Sequence, residues 1–343
     1  MTIARASRPT PLSRVWAGDK IVAEDLTGED LSDVLELNSR ASAWWVLPRD
    51  DDYATAEMRD VARALDLDQP ALKDLFSDDH RAKFEAVGQA RLIITNAVAL
   101  NPDTITLQVH PVSIVVTDRA LICLLAPNPY FHVAGMLAQQ EHALAQGGVE
   151  LGLQLVLGAV IRTYEVAVGF LEDASDDLAD ALFEERPLDR GEQLRAFRMR
   201  TALSQLRRRT DPMRTVMDDL LVNPTRSKGQ KDASIDGTTL ARRWAMLAEQ
   251  QTRVANAADA LREALASIFD TSLALADLRG NQIMKKLTGW AAIIAVPTLV
   301  TGFVGMNVSF PLDGTTAGFW FYLLLMVAAS VILFGVFRRK EWI

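Results

Sequence analysis

The triplet Gly305-Met306-Asn307 places a neutral oxygen ligand at the end of a long apolar run. The side-chain carbonyl of Asn307 can accept hydrogen bonds from the water shell of a cation, and Gly305 allows close approach of the backbone. A small divalent cation such as Mg²⁺ prefers oxygen ligands and loses its water reluctantly, so a ring of carbonyls can select the hydrated ion. Gly305, Met306 and Asn307 are therefore a candidate selectivity filter, and the alternative is an Asn307 that only caps the helix.

A line of residues upstream of the triplet shares one helical face with it, because the positions are three, four or seven residues apart. Small or hydroxyl side chains occupy this face near the triplet, and amide and carboxylate side chains occupy it farther upstream. The pattern predicts a narrow outer channel with a polar, anionic inner mouth. The candidate pore-lining residues are Gly302, Thr298, Ala295, Ala291, Thr288, Met284, Asn281, Asp277 and Asp270.

Two segments that lack charge surround the triplet. The chain has no charged residue for 26 positions between Lys286 and Asp313, and none for 24 positions between Asp313 and Arg338. About 20 apolar residues suffice for a helix to cross the hydrocarbon core of a bilayer. We therefore predict two C-terminal spans that contact the lipid bilayer, with Leu287–Val304 as the apolar part of the first and Ala317–Phe337 as the second.

The basic residues predict the orientation of these spans. They stand before the first span and after the second, whereas residues 308–316 contain none: Arg279, Lys285, Lys286, Arg338, Arg339 and Lys340. Short cytoplasmic segments are enriched in Lys and Arg, so both termini are expected in the cytoplasm of a multi-pass protein of the cell inner (plasma) membrane. Trp290, Trp320 and Trp342 stand where interfacial aromatic residues are expected.

The spans follow a large charged body. Four short β-branched segments, 91–100, 104–109, 112–117 and 120–125, predict strands, as does the run WWVL at 44–47, and 53–67 predicts a helix. Long helices are predicted at 149–185 and 190–221, the latter bent at Pro212. A helix from Thr238 to Asn307 would have 70 residues and a length of about 105 Å, which predicts a stalk entering the membrane.

The predicted fold is thus an α/β cytoplasmic domain with a long helical stalk and two C-terminal transmembrane helices. Its parts are an α/β domain at 1–145, long helices and stalk at 146–286, a pore-lining span at 287–307, an external loop at 308–316, a second span at 317–337 and a basic tail at 338–343.

Composition narrows the function further. The chain of 343 residues has a net charge of −8, which argues against a nucleic-acid partner, and its single cysteine, Cys123, fits a reducing cytosol. Its first residues lack the apolar core of a secretory signal. No Gly-rich phosphate loop, zinc-ligand spacing or catalytic constellation occurs in the sequence, so we expect neither an enzyme nor an organic cofactor.

In this context the chain resembles the CorA family of magnesium channels, whose signature is Gly-Met-Asn at the outer end of the penultimate span. The resemblance is strongest over about 265–343 and includes NQIMKKLT at 281–288 and the ending RRKEWI. It implies a funnel-shaped homopentamer that imports Mg²⁺, with Co²⁺ and Ni²⁺ as further candidates. The first spans would line the pore, and the asparagines of the triplet would bind hydrated Mg²⁺ in an outer ring.

The resemblance also assigns positions along the pore. Asn281, Met284 and Leu287 match inner pore positions, with Met284 and Leu287 forming a hydrophobic constriction that can gate by dewetting. Asp270 matches an acidic ring at the cytoplasmic mouth. Ala295 stands where some members carry Met, which implies a shorter constriction. Ordinary helix packing remains the alternative role for the two constriction residues.

Regulation by cytoplasmic Mg²⁺ is implied by the resemblance, through carboxylates between subunits. Met246 stands where one such carboxylate is expected, so the regulatory candidates here are Glu249 and Asp259. The acidic stretch 172–185 is open to two interpretations. It could attract cations or contact the basic residues near the membrane, or it could be a solvated helix face.

Two other functions fit part of the pattern. Zinc transporters of the same superfamily share the architecture, but they typically alter the middle residue of the triplet, here Met306. A membrane-anchored coiled-coil scaffold or sensor would explain the stalk and spans but would leave the triplet and Asn281 without a role.

Overall fold

The structure is a computed structural model that describes residues 12–18, 20–38, 41–49, 56–60, 73–76, 81–88, 90–126, 131–222, 237–306 and 315–343. The chain divides into two compact units. Unit 1 comprises Met1–Leu178 and Arg190–Ala266, and unit 2 comprises Ala179–Asp189 and Ser267–Ile343. The domain boundaries given above remain predictions.

Unit 1 contains a seven-stranded sheet. Its strands are β1 (Leu12–Ala17), β2 (Lys20–Glu24), β3 (Ala41–Pro48), β4 (Lys83–Val87), β5 (Ala90–Asn101), β6 (Thr106–Val116) and β7 (Ala120–Leu125), in the order β2-β1-β3-β7-β6-β5-β4. Neighbouring strands are antiparallel except β3 and β7, which are parallel. The predicted α/β domain is present, and strands were predicted at all or part of β3, β5, β6 and β7.

The central strands are buried on both faces. Almost every side chain of β5 and all of β7 are buried, which explains their continuous apolar sequences. One face packs against α1 (Gly28–Leu37), with Leu31 in the same core as Trp45 and Leu124. On the other face, a Cβ at Gly152 would lie 2.8 Å from the side chain of Leu121. The sheet is thus covered by helices on two sides.

Two features of unit 1 differ from the sequence prediction. Segments 104–109 and 112–117 form one strand, β6, although Pro111 interrupts its pattern. Pro111 pairs with Asn96 of β5, but β7 pairs with β6 only from Val112 onward. The carbonyl of Pro111 accepts from the N–H of Ala126 at 3.3 Å, just beyond the end of β7. The nitrogen of Pro111 faces the same side, away from β5, so its missing N–H breaks no bond to that strand. The other difference is that β1, β2 and α1 form within residues 12–37, where no strand or helix was predicted.

Long helices follow the sheet. They are α2 (Val133–Gln139), α3 (Glu141–Phe183), α4 (Arg190–Val222), α5 (Gly237–Val304) and α6 (Thr316–Arg339). Gly148 interrupts α3 with a φ of 62°, so the helix beyond it agrees with the predicted 149–185. Pro212 lies inside α4 as expected. Of the predicted helix 53–67, the described residues 56–60 are helical.

Helix α5 has 68 residues and begins one residue before the predicted start at Thr238. Its N-terminal half belongs to unit 1, where Trp244, Gln251 and Ala258 are buried at spacings of seven. The Nε1–H of Trp244 donates to Oε1 of Glu150 on α3 at 2.6 Å, and Nη2 of Arg91 lies 3.3 Å from Oε2 of the same carboxylate. Burial lowers the pKa of Arg91, and the charge of Glu150 opposes this shift. These contacts attach the first half of α5 to α3 and the sheet.

Candidate functional site

The predicted pore-lining residues are all exposed on α5 and in the turn after it. Asp270, Asp277, Asn281 and Met284 are exposed in the part that precedes the apolar segment, as is Leu287 at its start. The same holds for the rest of the set, namely Thr288, Ala291, Ala295, Thr298, Gly302, Gly305 and Met306. None of the described residues of unit 2 covers this face of the helix.

The opposite face of the same segment is buried or half-buried. Its residues are Gly289, Ala292, Ile293, Val296, Pro297, Val300 and Val304. Contacts with α6 account for the start of this face. The rings of Trp290 and Phe334 are 6.4 Å apart, and a Cβ at Gly289 would lie 3.7 Å from the ring of Phe337. The apolar segment of α5 therefore turns one face toward α6, and the predicted pore-lining positions lie away from it, together with larger exposed side chains such as Leu299 and Phe303.

Helix α6 has a matching pattern. Tyr322, Met326, Leu333 and Phe337 are half-buried at spacings of about one or two turns, and most of its other residues are exposed. The exposed set includes large apolar side chains such as Leu324, Val327 and Ile332. Both helices thus carry one packed face and a wide apolar surface with no cover in unit 2.

The outer end of α5 is closed by local hydrogen bonds. The N–H of Gly305 donates to the carbonyl of Thr301 at 2.9 Å, and the N–H of Met306 donates to that of Phe303 at 3.2 Å. A Cβ at Gly305 would lie 3.1 Å from the Thr301 oxygen, so a larger residue would crowd the carbonyl. Close approach is the reason for glycine here, because Gly305 lacks the positive φ of Gly148. Asn307 lies outside the described residues.

Hydroxyl groups satisfy carbonyls along the apolar segment. Thr298 donates to the carbonyl of Ile294, and Thr301 to that of Pro297, each at 3.0 Å. A hydroxyl that donates to its own helix still has acceptor lone pairs. Thr298 can therefore offer an oxygen to water or a hydrated ion on the exposed face without leaving its own proton unpaired.

The inner end of the candidate pore adjoins the segment 179–189 in unit 2. The N–H of Leu188 donates to Oγ of Ser272 at 3.0 Å. In the acidic stretch that precedes it, Glu172, Asp173 and Asp176 are exposed and Asp177 pairs with Arg195 at 2.9 Å. Within one chain this stretch is a solvated helix face.

The two regulatory candidates are both engaged by arginines. Nη1 of Arg253 lies 2.9 Å from Oε1 of Glu249, and Nε of Arg207 lies 2.8 Å from Oδ1 of Asp259, without the alignment of a hydrogen bond. The two carboxylates are ten residues apart on α5, about 15 Å along its axis. No group of three or more His, Cys, Asp or Glu able to hold a metal occurs among the described residues. One chain alone therefore does not supply a joint site from Glu249 and Asp259.

Two features escaped the sequence prediction. Helix α3 is also long and apolar enough to cross a membrane. In addition, the last residues fold back onto the helix pair, because a Cβ at Gly289 would lie 3.1 Å from Cγ1 of Ile343. The apolar run 149–171 could have indicated the membrane-like composition of α3. The folding back of the tail depends on a contact between residues 54 positions apart, so no local pattern indicates it.

The family of CorA-like Mg²⁺ transporter proteins matches residues 43–339. A cobalt/magnesium transport protein CorA of Methanocaldococcus jannaschii is 46% identical over 83 residues, which are 24% of this chain and 26% of that relative. A protein of the same name from Thermotoga maritima is 21% identical over 277 residues, covering 79% of this chain and 76% of its own length.

Solved structures share the fold. The complete CorA magnesium transporter of M. jannaschii matches with a TM-score of 0.73 at 22% identity, covering 98% of this chain and 100% of that one. A full-length CmaX protein matches with a TM-score of 0.72 at 20% identity and the same coverage. The cytoplasmic domain of ZntB from Vibrio parahaemolyticus matches with a TM-score of 0.53 at 13% identity, over 69% of this chain and 88% of that one.

Proposed function

Since this chain belongs to the family of CorA-like Mg²⁺ transporter proteins, we propose that it is a homopentameric channel that imports Mg²⁺ and also accepts Co²⁺ and Ni²⁺. The ion moves down its electrochemical gradient through the plasma membrane. An inside-negative potential supplies about 2.3 kcal/mol per charge per 100 mV, and hence about 4.6 kcal/mol for a divalent ion, without nucleotide hydrolysis.

Two C-terminal segments that are long and apolar enough to cross a membrane support this proposal. The end of α5 and the whole of α6 carry apolar side chains that unit 2 leaves exposed, and lipid is the solvent that such surfaces require. The basic residues that precede the first of these segments and follow the second favour cytoplasmic termini. Two indoles, Trp290 at the inner end and Trp320 at the outer end, are exposed at the levels of the two interfaces.

The observation that carries the channel assignment is the division of α5 into two faces. One face packs toward α6. The exposed remainder carries a line of small and polar positions, such as Ala295, Thr298 and Gly302, next to larger apolar side chains such as Leu299. Five such faces around an axis would form a narrow pore surrounded by an outer ring of α6 helices. Asp270 and Asp277 would then supply a negative potential at the inner mouth, which concentrates cations.

At the outer end, Asn307 would supply a ring of amide oxygens to hydrated Mg²⁺. Close contact of Gly305 with the Thr301 carbonyl keeps the turn before this ring tight. Near the inner end, Met284 and Leu287 would form the hydrophobic constriction. Both are exposed in the single chain, so neither is needed for packing within unit 2.

Gating by cytoplasmic Mg²⁺ is the finer part of the proposal. An ion bound between carboxylates of neighbouring subunits favours the arrangement that keeps them close, since a ligand shifts an equilibrium only through differential affinity. Glu249 and Asp259 are the candidate ligands, and each would have to leave its arginine. Protection of the wild-type protein from proteolysis by Mg²⁺, weakened in Glu249→Gln/Asp259→Asn, is the expected result. Normal protection of the double variant would remove these two residues from the proposal.

The direct test of the channel is uptake of Mg²⁺, Co²⁺ and Zn²⁺, measured side by side in liposomes. Asn307→Ala should reduce Mg²⁺ uptake to near the background of empty liposomes, because every subunit loses its amide oxygen from the ring, while expression and assembly stay unchanged. Val331→Ala, on the exposed side of α6, is the control and should transport normally. Normal uptake by the Asn307 variant would end the filter assignment. Preferred Zn²⁺ uptake would indicate zinc transport, and absence of flux in the wild type would favour a scaffold.

A further inference from the structure

The C-terminal tail, residues 340–343, folds back onto the helix pair. The N–H of Trp342 donates to the carbonyl of Phe337 at 2.9 Å, and the two rings stack with centroids 5.4 Å apart and an angle of 4° between planes. Glu341 makes the reversal with a φ of 57°. The side chain of Ile343 then reaches α5, where it occupies the space that a Cβ at Gly289 would need. The tail thus joins the end of α6 to α5.

The contact of Ile343 with α5 brings together basic residues from α5 and from the end of α6, which are distant in the sequence. Lys285 and Lys286 precede Gly289 by about one turn, and Arg338, Arg339 and Lys340 precede Ile343 by three to five residues. All five side chains are exposed, and in the described part of the chain none of them takes part in an ion pair. We call these five residues the basic surface.

Along α5, α6 and the tail, the basic surface has few acidic neighbours in the sequence. The carboxylate of the tail is Glu341, which is exposed, and the next one along α5 is Asp277, two turns before Lys285. Like charges at such short separations repel one another unless counter-ions bind them. A partner that brings negative charge would relieve this repulsion.

We propose that the basic surface binds the phosphate-containing headgroups of anionic phospholipids, an inference that rests on the proposed membrane location. The exposed apolar faces of α5 and α6 begin directly beside these cations, so a lipid can place its acyl chains and headgroup on one continuous surface. Arg338 and Arg339 can bind phosphate oxygens through two N–H groups each, and the lysines add point charges. The exposed indole of Trp290 lies at the same level, where interfacial tryptophans are favoured.

A free anion would satisfy the charge but not the rest of the surface. Inorganic phosphate has no acyl chain to cover Trp290 and the adjoining apolar faces. Lipid binding should therefore exceed phosphate binding, and it should weaken with salt because part of the attraction is screened.

The test uses the full chain in detergent micelles, with binding of phosphatidylglycerol and phosphatidylcholine measured by native mass spectrometry. The wild type should bind phosphatidylglycerol preferentially. Arg338→Gln/Arg339→Gln/Lys340→Gln should lower that affinity about tenfold or more, and Lys285→Gln/Lys286→Gln should lower it as well if the first variant folds poorly. Arg242→Gln/Arg243→Gln/Arg262→Gln, which neutralises exposed cations on the first half of α5, is the matched control and should bind normally.

Two results would overturn the proposal. One is equal binding of phosphatidylglycerol by the wild type and both basic-surface variants. The other is complete displacement of the lipid by millimolar inorganic phosphate, which would indicate a simple anion site. Ion uptake in phosphatidylcholine liposomes separates this proposal from the channel. Lost lipid binding with retained uptake in a variant supports separate roles, whereas retained lipid binding without uptake in the wild type counts against the channel alone.

Discussion

Helix α3 and the pair formed by the end of α5 with α6 look alike by composition but lie in different surroundings. All three helices contain a window of 18 residues apolar enough to cross a membrane. In α3, 72% of that window is buried inside the protein, compared with 6% in α5 and 0% in α6. Apolar composition therefore marks the need for burial but does not say whether protein or lipid provides it.

The contacts of α3 explain its burial. A Cβ at Gly152 would meet Leu121 of the sheet, and one at Gly158 would lie 3.1 Å from Leu247 of α5. Tyr164 is fully buried and donates to the carbonyl of Asn96 at 2.6 Å. Helix α3 is thus a core helix of unit 1, whereas the end of α5 and α6 bury only one face each against their own unit.

The largest effect is expected from a charge placed in the buried part of α3. Leu157 is fully buried, so Leu157→Arg places a cation where it has no partner and should cost more than about 4 kcal/mol. Unit 1 should fail to fold, as shown by loss of the cooperative thermal transition and rapid proteolysis. A variant that melts like the wild type would mean that α3 is not a core helix.

A smaller effect is expected from the same substitution on α6. Val327 is near the middle of α6 and is 56% exposed, and Val166 on α3 is 54% exposed. Val327→Arg should make the free energy of membrane insertion less favourable by about 2.5–3.5 kcal/mol, because lipid surrounds this position. Val166→Arg should change stability by no more than about 0.5 kcal/mol because water is its solvent. The measurement is the fraction of protein in the membrane after alkaline extraction. Equal loss, or none, in both variants would contradict the assignment of α6 to lipid.

The two halves of α5 provide the next contrast. Trp244 is buried and donates to Glu150, so Trp244→Phe leaves one carboxylate oxygen without this donor and should destabilise unit 1 by about 1–3 kcal/mol. Trp290 is a half-exposed aromatic residue in the second half of α5, so Trp290→Phe should leave the free energy of unfolding of unit 1 unchanged. Chemical unfolding of the detergent-solubilised proteins measures this free energy for both variants. Equal losses in the two variants would show that the halves are not held differently.

The sequence predicted those parts of the fold whose signal is local. The charge-free runs, the β-branched segments and the Pro-free length of α5 each indicate an element without knowledge of its neighbours. Strand β6 continues through Pro111 because it pairs with β5. The membrane-like composition of α3 is explained by its burial against the sheet. The docking of Ile343 at Gly289 depends on a contact between distant residues, so no local pattern could indicate it. The exposure of the aligned positions on α5 agrees with the helical spacing, and their role as a pore lining, like the role of Asn307, remains a prediction.

The smallest effect concerns the reactivity of Cys123, the native thiol in the sheet, compared with that of cysteines introduced on the exposed part of α5. Burial raises the pKa of Cys123 to about 12, so at pH 8 only about one thiol in ten thousand is ionised, and the thiolate is the reactive form. The folded wild type should remain unlabelled by a water-soluble maleimide from pH 7 to 9 and should react only after unfolding.

Asn281→Cys should react in the folded protein, faster as the pH rises toward the ordinary thiol pKa, and should lose ion flux on modification. Ile283→Cys is also exposed in the single chain and is the matched control. It should react with less effect on flux because it lies off the proposed pore face. Labelling of Cys123 in the folded wild type would contradict its burial, and equal loss of flux at positions 281 and 283 would show that the pore is lined by a different face of α5.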